Sequence, residues 1–232
     1  LREMVEDRDP GNIVLNIDPV WAFSDGLGAG EAEALLEALG DEYASRVKRE
    51  PRLAMNYISL RIPEMMPRYR KIEESVHALI SEAFSNSVIT PGVTTTEDVV
   101  WWMRQKLRDL GYTTWFQTSV DVQRAGERPE NGPVVIQPGD LLWTDFGVVA
   151  MNLHTDTQHL GYVLRDGETD APDGLKQCLA NSNRLQDILL EHMEPGLTGN
   201  EVLANTLAQM HAEGINGTVY THPIGDHGHG AG

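Results

Sequence analysis

Hydrophobic and polar positions follow two different periods along this chain. Ile72, Val76, Leu79, Ile80 and Ala83 recur every three or four residues within 64–84, which predicts a helix with one apolar face. "GEAEALLEALG" (30–40) reads as a helix stopped by Gly40, and "NIVLNID" (12–18) as a short strand. In "TPGVTTTEDVVWWMRQKLRDLGY" (90–112), Thr94 followed by Glu97 is a capping-box signature, and Gly111 ends the helix. Trp101 and Trp102 diverge by about 100° on such a helix, so core or interface packing is expected rather than a cofactor platform.

The second half repeats this plan. "EPGLTGNEVLANTLAQMHAEGI" (194–215) matches 90–112 as Pro-Gly-aliphatic-Thr, a capped helix, then Gly and a strand. Pro91 and Pro195 are 104 residues apart, Gly111 and Gly214 only 103. A long helix precedes each unit (64–84 and about 172–193) and a strand follows, the second being "GTVYT" (217–221). The pattern predicts a helix–helix–strand module used twice, with two modules paired around a pseudo-twofold axis and helices on one face of a shared sheet.

Between the modules, Leu141 to Phe146 and about Thr155 to Val163 read as strands joined by a turn near Ala150–Asn152. A turn centred between Ala150 and Met151 sets Asp145 opposite Asp156, Trp143 opposite Gln158 and Gly147 opposite His154. The two carboxylates then share a face with β-carbons about 4.5–5.5 Å apart. Two like charges so placed call for a shared proton or a cation. A solvated hairpin with two harmless aspartates is the alternative, because slippage of the turn by one residue separates the pair. The apolar neighbours Leu141, Leu142, Trp143 and Phe146 favour partial burial, and hence a cation.

Composition narrows the picture. Hydrophobic content of 41% and charged content of 23% are ordinary for a globular chain of 232 residues. A formal net charge of −17 argues against nucleic acid as a partner, since phosphate contacts need clustered Lys and Arg. No apolar run approaches the roughly 20 residues of a membrane span. "LREMVEDRDP" has no signal-peptide core and no initiator Met, so localisation stays open, with the cytoplasm slightly favoured. The one cysteine, Cys178, excludes an internal disulfide and reads as a small buried hydrophobe.

Three of the eight histidines crowd into "THPIGDHGHGAG" (221–232). Pro223 holds His222 extended at the end of the module strand, so His222 can approach the Asp145–Asp156 pair. Nitrogen and oxygen donors together suit Mn, Co, Fe or Zn better than Mg or Ca. His229 lies seven residues beyond His222 and is placed for substrate rather than metal. A His- and Gly-rich tail binding metal adventitiously is the alternative.

The duplicated module, "LLWTDFG", a second Asp eleven residues after the first, and "HPIGDHGH" together resemble the pita-bread metallopeptidases. These include methionine aminopeptidase, aminopeptidase P, prolidase and the metal-free creatinase. The resemblance implies an α+β fold: a pita-bread catalytic domain over 60–232, incomplete at its C-terminus, and in 1–50 the C-terminal part of an N-terminal creatinase/prolidase-like domain. Carried over by position, Asp145 resembles the ligand of one metal, Asp156 the bridging ligand and His222 a ligand of the second. His229 resembles the catalytic histidine that contacts substrate; His227 matches no family position. The implied activity is that of a metal-dependent exopeptidase acting on Xaa-Pro N-termini through two divalent ions (Mn, Co, Zn or Fe). Its partner would be a peptide, and the chain a homodimer. Departures exist. The family's two downstream glutamates are not in this sequence, which reads as a fragment with too few ligands for turnover. Tyr112 to Thr144 contains no histidine where the family usually carries one, with Gln123 or Arg124 near that place, and Thr218 stands where the proline-specific branch often has histidine. A repurposed pita-bread protein, either a non-peptidase enzyme or a peptide-binding module, is the competing reading.

Overall fold

The computed structural model describes residues 1–19, 25–50, 52–124 and 132–219. The chain divides into two compact units. Among the described residues, the first takes Leu1–Val76 together with Gly147–Asp156, and the second takes His77–Phe146 and residues 157–219.

In the first unit, α1 (Arg2–Arg8) leads into β1 (Ile13–Leu15), α2 (Ala29–Ala44) and β2 (Val47–Arg49). β1 and β2 pair in parallel, Ile13 with Val47 and Leu15 with Arg49, so this stretch is a small β–α–β unit. The predicted strand is shorter than its 12–18 span, and β2 has no comparable apolar signal because it is half-exposed and polar. Gly40 does interrupt α2: its φ of 67° and ψ of 167° break the helical path before a last short turn to Ala44. Leu39 and Tyr43 are buried on either side of that break. α3 (Arg52–Ser59) follows.

α4 (Met65–Ala83) begins in the first unit and ends in the second. Ile72, Val76, Leu79, Ile80 and Ala83 are all buried, as their spacing predicts. The second unit continues with α5 (Thr96–Asp109), β3 (Ser119–Gln123) and β4 (Leu141–Phe146). A hairpin of β5 (Val149–Ala150) and β6 (Leu153–His154) belongs to the first unit. β7 (Thr157–Tyr162), α6 (Asp173–His192) and α7 (Gly199–Ala212) complete the order.

β3, β4 and β7 form an antiparallel sheet with β4 in the centre. Val120, Val122, Leu142, Thr144, Phe146 and Thr157 are buried on one face, and Thr144 Oγ1 donates to the Ser119 carbonyl at 2.8 Å. The sheet is anchored below by Asp140, which is 2% exposed. It accepts from Arg124 Nε at 2.7 Å, from Arg124 Nη2 at 2.9 Å and from the Gln137 amide at 2.7 Å.

The helical repeat is real, and its unequal offsets have a structural cause. α5 and α7 are both 14 residues long. Each ends on a glycine with positive φ, 75° at Gly111 and 72° at Gly214, a backbone region costly for residues with a Cβ. The amide of Tyr112 donates to Leu107, and that of Ile215 to Met210, both at 3.0 Å. The first N-cap is Thr95 with Asp98, not Thr94 with Glu97, because Thr94 Oγ1 accepts from the Thr90 amide at 2.8 Å and closes the Pro-Gly turn. The second module has one residue fewer between turn and cap, so Thr198 caps with Glu201. That single residue accounts for the 104 against 103.

Trp102 is half-buried, but Trp101 does not pack in the core of the chain and Cys178 is not buried. Thr96, Val99, Met103 and Leu107 form the buried stripe of α5, which turns Trp101 outward. Trp101 is 59% exposed, lying under the Arg104 guanidinium at 4.9 Å and donating Nε1 to Glu97 at 3.2 Å. Cys178 is exposed. The buried cluster of α6 and α7 (Leu185, Ile188, Met210 and Ile215) lies in the C-terminal half of α6, beyond Cys178. After α7, residues 217–219 are described and carry no strand; 220 and 221 lie outside the described residues.

Candidate metal centre

Asp145 sits near the end of β4, in a strand whose burial alternates strictly. Leu142, Thr144 and Phe146 point into the packed face, so Trp143 and Asp145 point to the other, where both are half-buried. Across β4, Asp145 has Ser119 on β3 and Gln158 on β7 as partners. Asp145 Oδ2 accepts from Gln158 Nε2 at 3.4 Å, a long contact. Asp121, opposite Trp143, adds an exposed carboxylate to this face. The strand alternation of 119–123 carries that signal, although the sequence reading did not single it out.

The predicted register is corrected. Asp145 pairs with Gln158, not Asp156; Trp143 pairs with Leu160; and Val149, rather than Gly147, pairs with His154. The reason is the turn. Met151 and Asn152 both have positive φ, 53° and 59°, the signature of a two-residue type I′ loop closed by Ala150 and Leu153. The turn is therefore centred one residue later than predicted, and every partner moves by two positions.

Asp156 is half-buried and follows a tightly held segment. The Val148 amide donates to Thr155 Oγ1 at 3.0 Å, and the Thr155 amide returns to the Val148 carbonyl at 2.9 Å. Tyr69, on α4, donates its hydroxyl to the His154 carbonyl at 2.6 Å. His222, His227 and His229 lie outside the described residues. Among the described residues, no group of three or more His, Cys, Asp or Glu side chains is placed to hold a metal ion. Carboxylates at Asp145 and Asp156 are hard oxygen donors of the kind a divalent cation takes.

Gln123 ends β3 and Arg124 follows it. Arg124 is committed to Asp140, and Gln123 is exposed opposite Leu141.

Among the described residues no helix is long and apolar enough to cross a membrane. The profile of metallopeptidase family M24 matches residues 67–232. No curated protein is similar enough to match. Among solved structures, the X-Pro aminopeptidase from Thermotoga maritima MSB8 superposes with a TM-score of 0.67 at 16% identity, over 92% of this chain and 56% of that one. The Xaa-Pro dipeptidase from Bacillus anthracis gives 0.64 at 18%, over 92% and 56%. The prolidase from Pyrococcus horikoshii OT3 gives 0.59 at 16%, over 81% and 52%. The chain thus spans about half the length of these structures, and its mixed α/β fold matches their pita-bread catalytic domain.

Proposed function

We propose, from the premise that this chain belongs to metallopeptidase family M24, that it serves a metal-dependent exopeptidase that removes residues from Xaa-Pro N-termini. Asp145, Asp156 and His222 are the metal ligands in this reading, and His229 contacts the substrate. Divalent ions held there would supply Lewis acidity toward the scissile carbonyl and make a water nucleophilic near neutral pH. Asp145 would present its carboxylate from the face of β4 opposite Leu142, Thr144 and Phe146. Trp143 beside it offers apolar surface for a substrate side chain. His229 would donate a proton-bearing ring nitrogen toward the developing oxyanion.

The observation that carries this reading is the position of Asp145: within the family-matched segment, on a rigid central strand, facing away from the packed side. The test is hydrolysis of Xaa-Pro peptides by the protein with Mn²⁺, Co²⁺ or Zn²⁺, before and after chelation. Metal-dependent release of the N-terminal residue, lost in Asp145→Asn, supports the proposal; turnover that survives both chelation and Asp145→Asn overturns it. The second reading, a repurposed peptide-binding protein, is favoured by the lack of any histidine from Tyr112 to Thr144 and by Thr218. Peptide binding without any turnover in the metal-loaded protein would select it.

A further inference from the structure

β7 has a second face. Thr157, His159 and Gly161 alternate with Gln158, and so point away from the side that carries Asp145. The C-terminal part of α4 packs there. Gly161 permits the approach: a Cβ added to it would lie 2.7 Å from Cδ2 of Phe84, the residue that follows α4. Two helical turns earlier, the same packing brings His77 against His159. Their ring centroids are 4.7 Å apart and their planes meet at 79°.

This pair has unspent chemistry. Among the described residues, neither imidazole makes a hydrogen bond to protein; the ring contact is their one interaction. Packed imidazoles whose ring nitrogens have no protein hydrogen-bond partner are an arrangement that wants water or a ligand. His77 is exposed, so a solute reaches the pair, and His159 is half-buried, so its position is held by the sheet. Burial first, then the neighbouring His77, holds His159 below its ordinary value. It is therefore neutral at pH 7, with a lone pair free to donate.

We propose that His77 and His159 form a binding site for one borderline transition-metal ion of the Zn²⁺ class, which fastens α4 to β7. Imidazole nitrogens suit Zn²⁺, Cu²⁺ and Ni²⁺, whereas Mg²⁺ and Ca²⁺ take oxygen. Two imidazoles bound at about 2.0–2.1 Å to one ion place their centroids roughly 5 Å apart, close to the 4.7 Å between His77 and His159. No third His, Cys, Asp or Glu joins the pair into a larger cluster among the described residues. Water fills the remaining positions, and occupancy follows metal supply. An ion bound to the folded state alone also stabilises it in proportion to its concentration over its dissociation constant.

The test is titration of the protein with Zn²⁺ at pH 7.5, comparing the unaltered chain with His77→Gln, His159→Gln and Asp145→Asn. Either histidine substitution should remove one Zn²⁺ equivalent per chain, or weaken it at least tenfold. Zn²⁺ should raise the melting temperature of the unaltered chain more than that of His77→Gln. Asp145→Asn should leave this equivalent in place, which separates this site from the centre proposed above. His77 is exposed on a helix, so His77→Gln retains its fold by circular dichroism and decides the matter should His159→Gln fail to fold. Unchanged stoichiometry and affinity in His77→Gln overturns the proposal.

Discussion

Asp145 faces Gln158 across the β4–β7 ladder, with Oδ2 and Nε2 3.4 Å apart. Asp145→Asn keeps the shape and removes the charge. Loss of an orienting group near a metal typically costs 10–100-fold, so losing a ligand should weaken Mn²⁺ or Co²⁺ affinity by about a hundredfold or more. Titration followed by Co²⁺ absorption checks it, with near-native circular dichroism as the control.

The type I′ turn is a second lever. Met151 and Asn152 occupy left-handed backbone, which costs a residue with a Cβ about 1–2 kcal/mol and asparagine less. Replacing the pair by Asn-Gly should stabilise the protein by roughly 1 kcal/mol. Asn152→Val should destabilise it by a similar amount. Urea denaturation measures both.

The duplicated caps predict duplicated costs. Thr95 Oγ1 accepts from the Asp98 amide at 3.1 Å, and Thr198 Oγ1 from the Glu201 amide at 3.3 Å. Thr95→Ala and Thr198→Ala should each lose about 0.5–2 kcal/mol, and the two losses should add. Serine at either position should restore most of its share.

Removing Asp140 should be the most damaging of these changes. It leaves Arg124 without its forked partner and the Gln137 amide without its acceptor. Deleting one partner of a fully buried ion pair costs about 3–5 kcal/mol, and with Arg124 27% exposed the loss here should fall below that range. Asp140→Ala should therefore lower the denaturation midpoint sharply, with Asp140→Asn intermediate.

Acid should loosen the α6–α7 pair. Arg184 donates to Glu213 at 2.6 and 2.7 Å and to Glu191 at 2.8 Å. The Arg184 hydrogen bonds hold Glu213 down at about 2, and Glu191 is lowered too. Carboxylates with a depressed folded value stabilise the fold fully above their unfolded value near 4.5, and lose that contribution as pH falls toward 2. Stability measured at pH 6, 4.5 and 3 should decline over the last interval. Arg184→Ala should flatten that decline.

Periodicity carried most of what was legible. The five apolar positions of α4 are all buried because a helix's face depends only on spacing along one segment. The repeat was visible for the same reason: a Pro-Gly turn, a threonine cap and a terminal glycine are local devices. Trp101 and Cys178 went the other way. Their exposure depends on which neighbouring element covers which turn of a helix, and spacing within one helix does not contain that information.

The sequence by itself determined the longer helices, the glycines that end two of them and the presence of two strands flanking a turn after Asp145, because hydrogen bonds within a turn or helix join residues a few positions apart. Tertiary structure alone decided that Asp145 meets Gln158, that Arg124 is tied to Asp140, and that His77 touches His159. Each of these depends on a turn's dihedral angles or on one element lying against another. Such choices are settled by packing among residues distant along the chain.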